Sequence, residues 1–554
     1  MSLEVKYIDI PQGAQQTAQV AGAGQPFSYA QSVAAGAQDT PYATLEPFSW
    51  TLDGSRELIP AAPDGFWWST EMSDGEGAFE NPPVLTFTFP TPYTATGLTF
   101  TFWPSMNQWC NAVSVSWYNG NALLAQVKAC PDSARWTLKQ AVEGFDSIRI
   151  ELLSTNTPYS FAKVQQIQIG HVVWFGKDEL TAVRLLNEAD PTLCSLTVDT
   201  MTVELRDRSG RDLLPQKNQI MELYRDKSLV AVQYITESRR EAQRSYVFSC
   251  QSAIGLLDDD FLGGMYNAEP VENLLSDVLE GLVYVLDPCF AGRVITGYLP
   301  VCTRREALQQ IAFAIGALVT TLGGDAICLQ PLPEGISCTF DSGKIFTGAK
   351  IESTPRLAKV EVAAHSYAPS AEVETLMDNE ELHGENLLLT FDAPHYDYAI
   401  QGGTITGSGA NFVTIAAAGV VTLTAKPYIH TTVMYTRRNS KATAAERNNV
   451  LTVEEASLVH SSNATEVLDR LNATANLRQK LTQEAVISGH SAGQKVSSVS
   501  PWGTQLRGYI SAMDSTLTQT GHTASITILG AEAEPQSVYL YSGEIYAGNK
   551  EVLY

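Results

Sequence analysis

One run of residues has the spacing of a serine nucleophile. Residues 489–493 form the pattern G-x-S-x-G around Ser491, and Asp514 and His522 follow in an order that a catalytic triad can take. This chemistry requires a strand before the serine and a helix after it. The following residues, QKVSSVSPWG, alternate Val and Ser and include Pro501, which argues against a helix. We therefore interpret the segment as a strand, a turn and a strand, without a catalytic role.

A second stretch has the residue types of a sugar-binding site. Trp67 and Trp68 precede a glycine-containing loop that carries Asp74 and Glu76. Aromatic rings stack on sugars, and carboxylates accept hydrogen bonds from sugar hydroxyls. The acidic loop could instead hold calcium or be only a polar turn. In the run FWW, strand alternation places the two tryptophans on opposite faces, so we expect one buried and one exposed ring.

Other residues that could do chemistry do not form recognisable sites. Asp258, Asp259 and Asp260 are consecutive and would point in different directions on a solvated turn. The eight histidines show no HxH or HxxxH spacing and the eight cysteines no CxxC pair, so no metal site and no cofactor is predicted. Basic pairs are expected at subunit interfaces, with phosphates as the alternative partners: Arg239, Arg240, Arg244, Arg304, Arg305, Arg437 and Arg438.

Composition indicates a large, acidic, multidomain globular protein. Its 554 residues suggest three to four domains, and 44% apolar with 17% charged residues is typical of a folded chain. The net charge of −24 argues against binding the outside of a DNA duplex, which needs lysine and arginine at the phosphates. The sequence has no secretory signal and no apolar run of about 18 residues, so we expect no membrane insertion. Scattered cysteines favour folding in a reducing cytoplasm.

The patterning predicts a mainly β, multidomain (α+β) protein. Residues 1–40 are rich in Ala, Gln and Gly and are expected to form an extended arm. Residues 41–170 alternate apolar and polar residues, as in Leu85 to Phe89 and Val113 to Trp117, and contain seven of the nine tryptophans. This pattern predicts an antiparallel β-sandwich. Short strands over 171–265 predict a small β-barrel.

The second half mixes helices and strands. Residues 266–337 are predicted to be α+β, with one helix after Pro270 and another after Thr303, where Glu306 completes a capping box. Residues 338–430 are predicted to be β-rich. Residues 431–530 are predicted to form a second barrel, with a helix near Asn463 to Val486, and 531–554 a C-terminal tail.

In this order the segments resemble the baseplate hub proteins of tailed phages. The resemblance covers about 171–540 and lies in TRREALQQIAFAIGALV, in GYISAMDSTLT and ASITILG near the end, and in IGLLDDDFLGGMYNAEP at 254–270. The segments YATLEPFSWTLDGS, FWWSTEMSDGEGAFENPPVLTFTF and TPYSFAKVQQIQIG resemble a galactose-binding, discoidin-type sandwich. Such modules are often found on tail proteins of phages that infect Gram-positive hosts.

The resemblance implies a non-enzymatic virion structural protein. The barrels at about 171–262 and 430–530 would lie side by side, and three chains would form a pseudo-sixfold ring at the tail tip. The ring would adapt a hexameric tail tube to a trimeric tip and gate the channel for the tape-measure protein and for DNA, which passes only in transit during ejection. Implied partners are the chain itself, a distal tail or tail-tube protein, and tip or receptor-binding proteins. Assembly would take place in the host bacterial cytoplasm.

Two other functions remain as alternatives. The chain could be a carbohydrate-binding adhesin that attaches the virion to a host surface glycan through the sandwich. It could also be a cell-wall hydrolase acting through Ser491.

Overall fold

The protein is mainly β and multidomain, which confirms the predicted fold class. The computed structural model describes residues 2–11, 13–26, 28–36, 46, 53, 67–207, 213, 215–341, 343–475, 477–500, 505–519 and 521–532. The predicted C-terminal tail lies outside the described residues beyond 532. The chain divides into two compact units, one of residues 1–181 with 203–250 and one of 182–202 with 251–554.

The start of the chain is part of the first unit's fold. Its elements are β1 (Leu3–Asp9), α1 (Ala14–Thr17), β2 (Gln19–Ala21) and α2 (Ser32–Ala35). Strand β1 pairs antiparallel with residues 171–175 on one side and with 220–225 on the other. Its side chains alternate buried and half-buried, because Leu3, Val5 and Tyr7 repeat with the period of a strand. The described part of 1–40 therefore does not form the extended arm that we expected.

The predicted sandwich pattern corresponds to strands around an aromatic core. The strands are β3 (Trp67–Met72), β4 (Val84–Thr101), β5 (Ala112–Asn119), β6 (Ala122–Ala129), β7 (Arg135–Ser154), β8 (Phe161–Val164) and β9 (Gln166–Ile169). The main sheet has the order β2-β4-β7-β5-β6, with β9 paired to β4, and β3 pairs with β8 in a second small sheet. Phe87, Phe100, Trp117 and Phe145 lie fully within the core between them.

A second group of paired strands completes the first unit. The next strands are β10 (His171–Phe175), β11 (Leu180–Glu188), β12 (Thr200–Arg206), β13 (Ile220–Arg225), β14 (Ser228–Ala242) and β15 (Ser245–Gln251), of which β11 lies mostly in the second unit. Within this unit the order is β10-β1-β13-β14-β15-β12. Because β1 lies between β10 and β13, the sheet of residues 171–251 needs the first strand of the chain to be complete.

The middle of the second unit contains both helices and short strands. Its elements are β16 (Asp260–Phe261), β17 (Gly264–Pro270), α3 (Val271–Val278), β18 (Tyr284–Leu286), β19 (Val294–Leu299), β20 (Cys302–Thr303), α4 (Arg304–Ile315), β21 (Leu318–Thr320) and β22 (Ile327–Gln330). Helix α3 follows Pro270, and α4 starts at the predicted capping box of Thr303 and Glu306. Helix α3 buries one apolar stripe, whereas in α4 every residue from Ile311 to Ile315 is buried.

A long antiparallel ribbon lies among the next strands. These are β23 (Cys338–Phe340), β24 (Lys350–Ser353), β25 (Lys359–Pro369), β26 (Glu374–Thr390), β27 (His395–Ser408), β28 (Phe412–Arg438) and β29 (Val450–Val453). The ribbon consists of β25 to β28, whereas β23 and β24 pair with later strands and β29 pairs in parallel with β25. The first half of β28 pairs with β26 and β27, and its second half pairs with β25. Strand β28 therefore continues through the boundary that we predicted between 430 and 431.

The last elements form the second unit's larger sheet. They are α5 (Ala464–Thr474), β30 (Gln479–Val486), β31 (Lys495–Val499), β32 (Gln505–Leu517) and β33 (His522–Glu532). The sheet runs β11-β32-β33-β30-β24, and β31 pairs with β32 and β23. The helix predicted from Asn463 to Val486 is wrong in its second half. There Leu481, Gln483 and Ala485 alternate with more exposed residues and pair with β33, and this burial outweighs helix propensity.

Candidate functional site

The serine motif lies on a turn between strands. The G-x-S-x-G residues connect β30 to β31, and Gly489 and Gly493 have the positive φ values of 70° and 87° that such a turn requires. The ring of His490 packs on Phe340 at 4.7 Å between centroids. Since a strand and not a helix follows, Ser491 is not placed as a nucleophile elbow requires.

The proposed triad partner Asp514 has another role. It lies on β32, where its carboxylate accepts a hydrogen bond of 2.8 Å from Arg184 Nε and forms an ion pair with the same guanidinium. Hydrogen bonding to Arg184 lowers the pKa of Asp514. The side chain thus ties β32 to its neighbour β11, and it is not available to orient His522.

Both tryptophans of the sugar-site hypothesis are buried. Trp67 and Trp68 are 0% and 2% exposed, so the expectation of one exposed ring is wrong. The alternation itself holds: Trp67 packs in the sandwich core, whereas Trp68 contacts Trp103 and Phe161 with centroids 6.1 and 6.4 Å apart. Because both faces of β3 are covered, neither ring can stack on a sugar in this structure.

An exposed aromatic ring that could not be identified from the sequence, that of Tyr159, lies against the acidic loop after β3. Asp74 Oδ1 accepts hydrogen bonds from the backbone N–H groups of Glu76 and Ala78, both at 2.8 Å, so Asp74 shapes the turn. The N–H of Tyr159 donates to the Asp74 carbonyl at 3.1 Å. Tyr159 is 56% exposed, and Glu76, two residues after Asp74, is also exposed. The ring of Tyr159 also lies so close to Gly75 that a Cβ there would be 2.7 Å from its hydroxyl.

The sandwich contains a buried, charged side chain, Lys163, with several partners. Its Nζ donates to both carboxylate oxygens of Glu46 at 2.6 Å and to Gln108 Oε1 at 2.7 Å. The same atom lies 4.5 Å from the Trp103 ring centroid and 5.7 Å from that of Trp68. Burial lowers the pKa of Lys163 to about 8, against the opposing effect of Glu46. Because its ammonium group is hydrogen-bonded to Glu46 and Gln108 and is covered by the rings of Trp68 and Trp103, Lys163 is a structural residue.

The pair of Glu46 and Lys163 could not have been predicted from the sequence alone. Glu46 and Lys163 are far apart in the chain, and a lone lysine in a strand normally faces solvent. The backbone N–H of Phe161 also donates to Glu46 Oε1 at 2.8 Å. Glu46 is therefore held by strand β8 through both a side chain and the backbone.

A histidine and tyrosine stack lines a cavity of about 520 Å³ in the second unit. His365 Nδ1 and His430 Nε2 are 2.9 Å apart, so one of the two ring nitrogens donates a hydrogen bond to the other. The ring of Tyr367 stacks on His430 at 4.6 Å and contacts Tyr298 at 5.6 Å. Burial, followed by the neighbouring His430, lowers the pKa of His365. These contacts join β25, β28 and β19.

The aspartate run and several of the arginines have partners within the chain. Asp258 forms an ion pair with Arg305 at 2.8 Å, and Arg304 donates to the carbonyls of Val278 and Glu280 at the end of α3. Further intrachain ion pairs are Arg239–Glu241 and Arg437–Asp469. These pairs occupy residues that we expected to serve an interface between subunits.

The described residues contain no group of three or more His, Cys, Asp or Glu side chains placed to hold a metal ion. Among the same residues no helix has the length and apolar character needed to cross a membrane.

The comparisons with known proteins found likeness in structure only. No family model matches the chain, and no curated protein matches it. The solved structures that it resembles include phage tail proteins. The 43 kDa tail protein of prophage MuSo2 from Shewanella oneidensis is 10% identical with a TM-score of 0.40, over 64% of this chain and 94% of that one. The prophage tail protein gp18 from Listeria monocytogenes is 10% identical with a TM-score of 0.36, over 64% and 91%.

A different structure matches part of the chain. The family 32 carbohydrate-binding module of NanJ from C. perfringens, solved in complex with galactose, is 12% identical with a TM-score of 0.20. The match covers 31% of this chain and 99% of the module.

Proposed function

We propose that the protein is a structural hub of a phage tail tip, in which three copies form a ring around a channel. The observation that carries the proposal is a repeated architecture. One group of antiparallel strands contains β1, β13 and β14, and another contains β32, β33 and β30, with the α+β segment between the two groups in the sequence. In the hub resemblance, two such groups of strands per chain allow three chains to present six similar surfaces. Six similar surfaces would allow a ring of three chains to contact a hexameric partner, because the symmetry of an assembly constrains its interfaces.

The proposed role is mechanical. The ring adapts a hexameric tail tube to a trimeric tip and leaves a path for the tape-measure protein and then for DNA. The partners are a distal tail or tail-tube protein and tip or receptor-binding proteins, and the site of action is the virion. The net charge of −24 is consistent with a channel that does not retain nucleic acid.

Mass measurement tests the ring directly. Light scattering of the purified full chain should give the mass of three copies, independent of dilution through the micromolar range, because obligate oligomers bury large interfaces. Negative-stain images should show particles with a central hole. A monomer at all concentrations, or a closed assembly of two copies, contradicts the proposal.

A second candidate function is carbohydrate binding by the sandwich, favoured by the exposed ring of Tyr159 beside the acidic loop. A sugar ring would stack on Tyr159, and Glu76 would accept its hydroxyl hydrogen bonds. Glycan-array binding of the full chain should be lost in Tyr159→Ala and retained in Tyr29→Ala, which removes another exposed tyrosine. Retention of glycan binding in Tyr159→Ala would exclude this site.

A further inference from the structure

A groove in the second unit lies between helix α4 and strand β29. We define the α4–β29 groove by Gln309, Gln310 and Phe313 of the helix, residues 451–456 on the strand side, and Cys194. Its cavity volume is about 540 Å³. Consecutive strand residues point to opposite faces of a sheet. Since all of 451–456 line the cavity, the groove follows the backbone edge of the strand.

Strand β29 is an edge of its sheet in the described part of the chain. It pairs in parallel with β25, with Glu361 opposite Thr452, and ends the strand order β26-β28-β25-β29. The N–H of His365 donates to the carbonyl of Val459 at 2.7 Å, on the same side of β25 as β29. Because alternate residues of a strand direct their backbone N–H and C=O groups to the same side, the odd-numbered residues of β25 face β29. The backbone groups of Glu361 therefore bond to the residues before and after Thr452. The N–H and C=O of Thr452 therefore point away from β25, into the groove.

The lining combines apolar residues with negative charge. Phe313 is buried, and Leu451 and Val453 are partly buried against the same core. Glu454 and Glu455 are exposed at the rim, and Glu306 lines the adjoining cavity. Among the described residues that line the two cavities there is no lysine or arginine. Gln310 Nε2 donates to the Glu455 carbonyl at 3.2 Å and separates the two cavities.

We propose that the α4–β29 groove binds an extended, basic segment of a different polypeptide as an added strand. Backbone groups of the segment pair with Thr452, an apolar side chain faces Phe313, and lysine or arginine lies beside Glu454 and Glu455. An exposed strand edge next to a helix is a known geometry for peptide capture. The chain's own residues 533–554 carry three glutamates and one lysine, so they do not complement the groove. This inference goes beyond the hub function and does not depend on it.

Synthetic peptides test the inference on the full chain. The probe is a fluorescein-labelled nonapeptide that alternates valine with lysine and threonine, measured by fluorescence anisotropy. The same peptide with glutamate for lysine, and one with N-methylated valines, should bind at least about tenfold more weakly, because one loses the charge and the other the strand hydrogen bonds. Equal binding of the three peptides overturns the proposal.

Matched variants locate the binding. Thr452→Pro removes the N–H that faces the groove and should weaken binding at least about tenfold, whereas Thr452→Ala keeps that N–H and should bind as the parent does. The double change Glu454→Gln with Glu455→Gln should weaken binding and reduce its salt dependence. Circular dichroism and thermal unfolding confirm that each variant folds. Equal affinity of the Pro and Ala variants overturns the proposal. So does a change of oligomer mass in Thr452→Pro without peptide binding by the parent, because a second copy would then occupy the edge.

Discussion

At the scale of single residues, the Lys163–Glu46 pair has the clearest energetic consequence. Both side chains are almost completely buried, at 1% and 0% exposure. Burying two charges costs free energy that their attraction offsets only while both are present. The pair is therefore compatible with a stable fold only while both charges are present. Removing one partner leaves an uncompensated buried charge near Trp68 and Trp103.

We expect Lys163→Met to lower the free energy of unfolding by about 3–5 kcal/mol, because Glu46 remains as a buried, unpaired carboxylate. Urea denaturation of the full chain measures this change. The double variant Lys163→Met with Glu46→Leu should recover most of the loss. The exposed pair Arg149–Glu151 is the control, and Arg149→Met should cost less than about 1 kcal/mol. Equal costs at the two sites would contradict this account.

Asp9 is a second buried ionisable residue. Its Oδ1 accepts hydrogen bonds from Tyr7 at 3.1 Å and from Gln219 at 3.0 Å. Burial raises the pKa of Asp9 from 3.8 to about 6, although these hydrogen bonds oppose the shift. Between these two values the folded state binds more protons than the unfolded state, so this group makes stability fall as pH rises.

We expect Asp9→Asn to stabilise the protein above pH 6 by up to about 3 kcal/mol, since the amide keeps the acceptor oxygen and avoids the buried charge. Below about pH 4 the parent carboxyl is protonated, and the difference should disappear. Thermal unfolding of parent and variant across this pH range measures the effect. A difference that is the same at every pH would show that ionisation of Asp9 is not its cause.

At the scale of elements, the ends of helices follow from local sequence where a capping box is present. Thr303 Oγ1 accepts from the N–H of Glu306 at 3.2 Å, and Glu306 Oε2 accepts from the N–H of Thr303 at 2.8 Å. The start of α4 was predicted correctly for this reason. Helix α5 has no such cap from Asn463, whose side chain instead bonds the backbone of His460 and Leu458.

We expect Thr303→Ala to lower the free energy of unfolding by about 1 kcal/mol, because it leaves a helix N–H without its acceptor. Thr303→Ser keeps the hydroxyl and should be nearly neutral. Denaturant unfolding distinguishes the two variants. A loss in Thr303→Ser as large as in Thr303→Ala would mean that packing of the methyl group, and not the cap, stabilises α4.

At the scale of the whole molecule, the net charge of −24 opposes the binding of nucleic acid. DNA binding releases counterions only where cationic side chains neutralise phosphates, and several of the arginines are paired with carboxylates in the chain. We expect no retention of duplex DNA by the purified protein at about 150 mM salt, measured by gel shift. Binding that weakens steeply with added salt would show a cationic surface that the total charge conceals.

Much of the fold could be predicted from local patterns. The alternation of apolar and polar residues from Leu85 to Phe89 predicted a strand where one is observed. The apolar stripe that follows Pro270 in the sequence likewise predicted α3. Both predictions succeed because burial of one face imposes a period on the sequence. The strand, turn and strand around Ser491 was predicted from the same kind of evidence. The position of Tyr159 was less predictable, because its backbone is held by a hydrogen bond to Asp74, which is distant in the chain.

The sequence by itself determined the secondary structure of most segments, the mainly β class, and the absence of a strand-to-helix elbow at Ser491, since each depends on neighbours in the chain. Only the tertiary structure decided that β1 completes a sheet of residues 171–251, that both Trp67 and Trp68 are covered, and that Glu46 meets Lys163. These features depend on which distant segments share a surface. Local periodicity shows that a face is buried but does not specify what covers it.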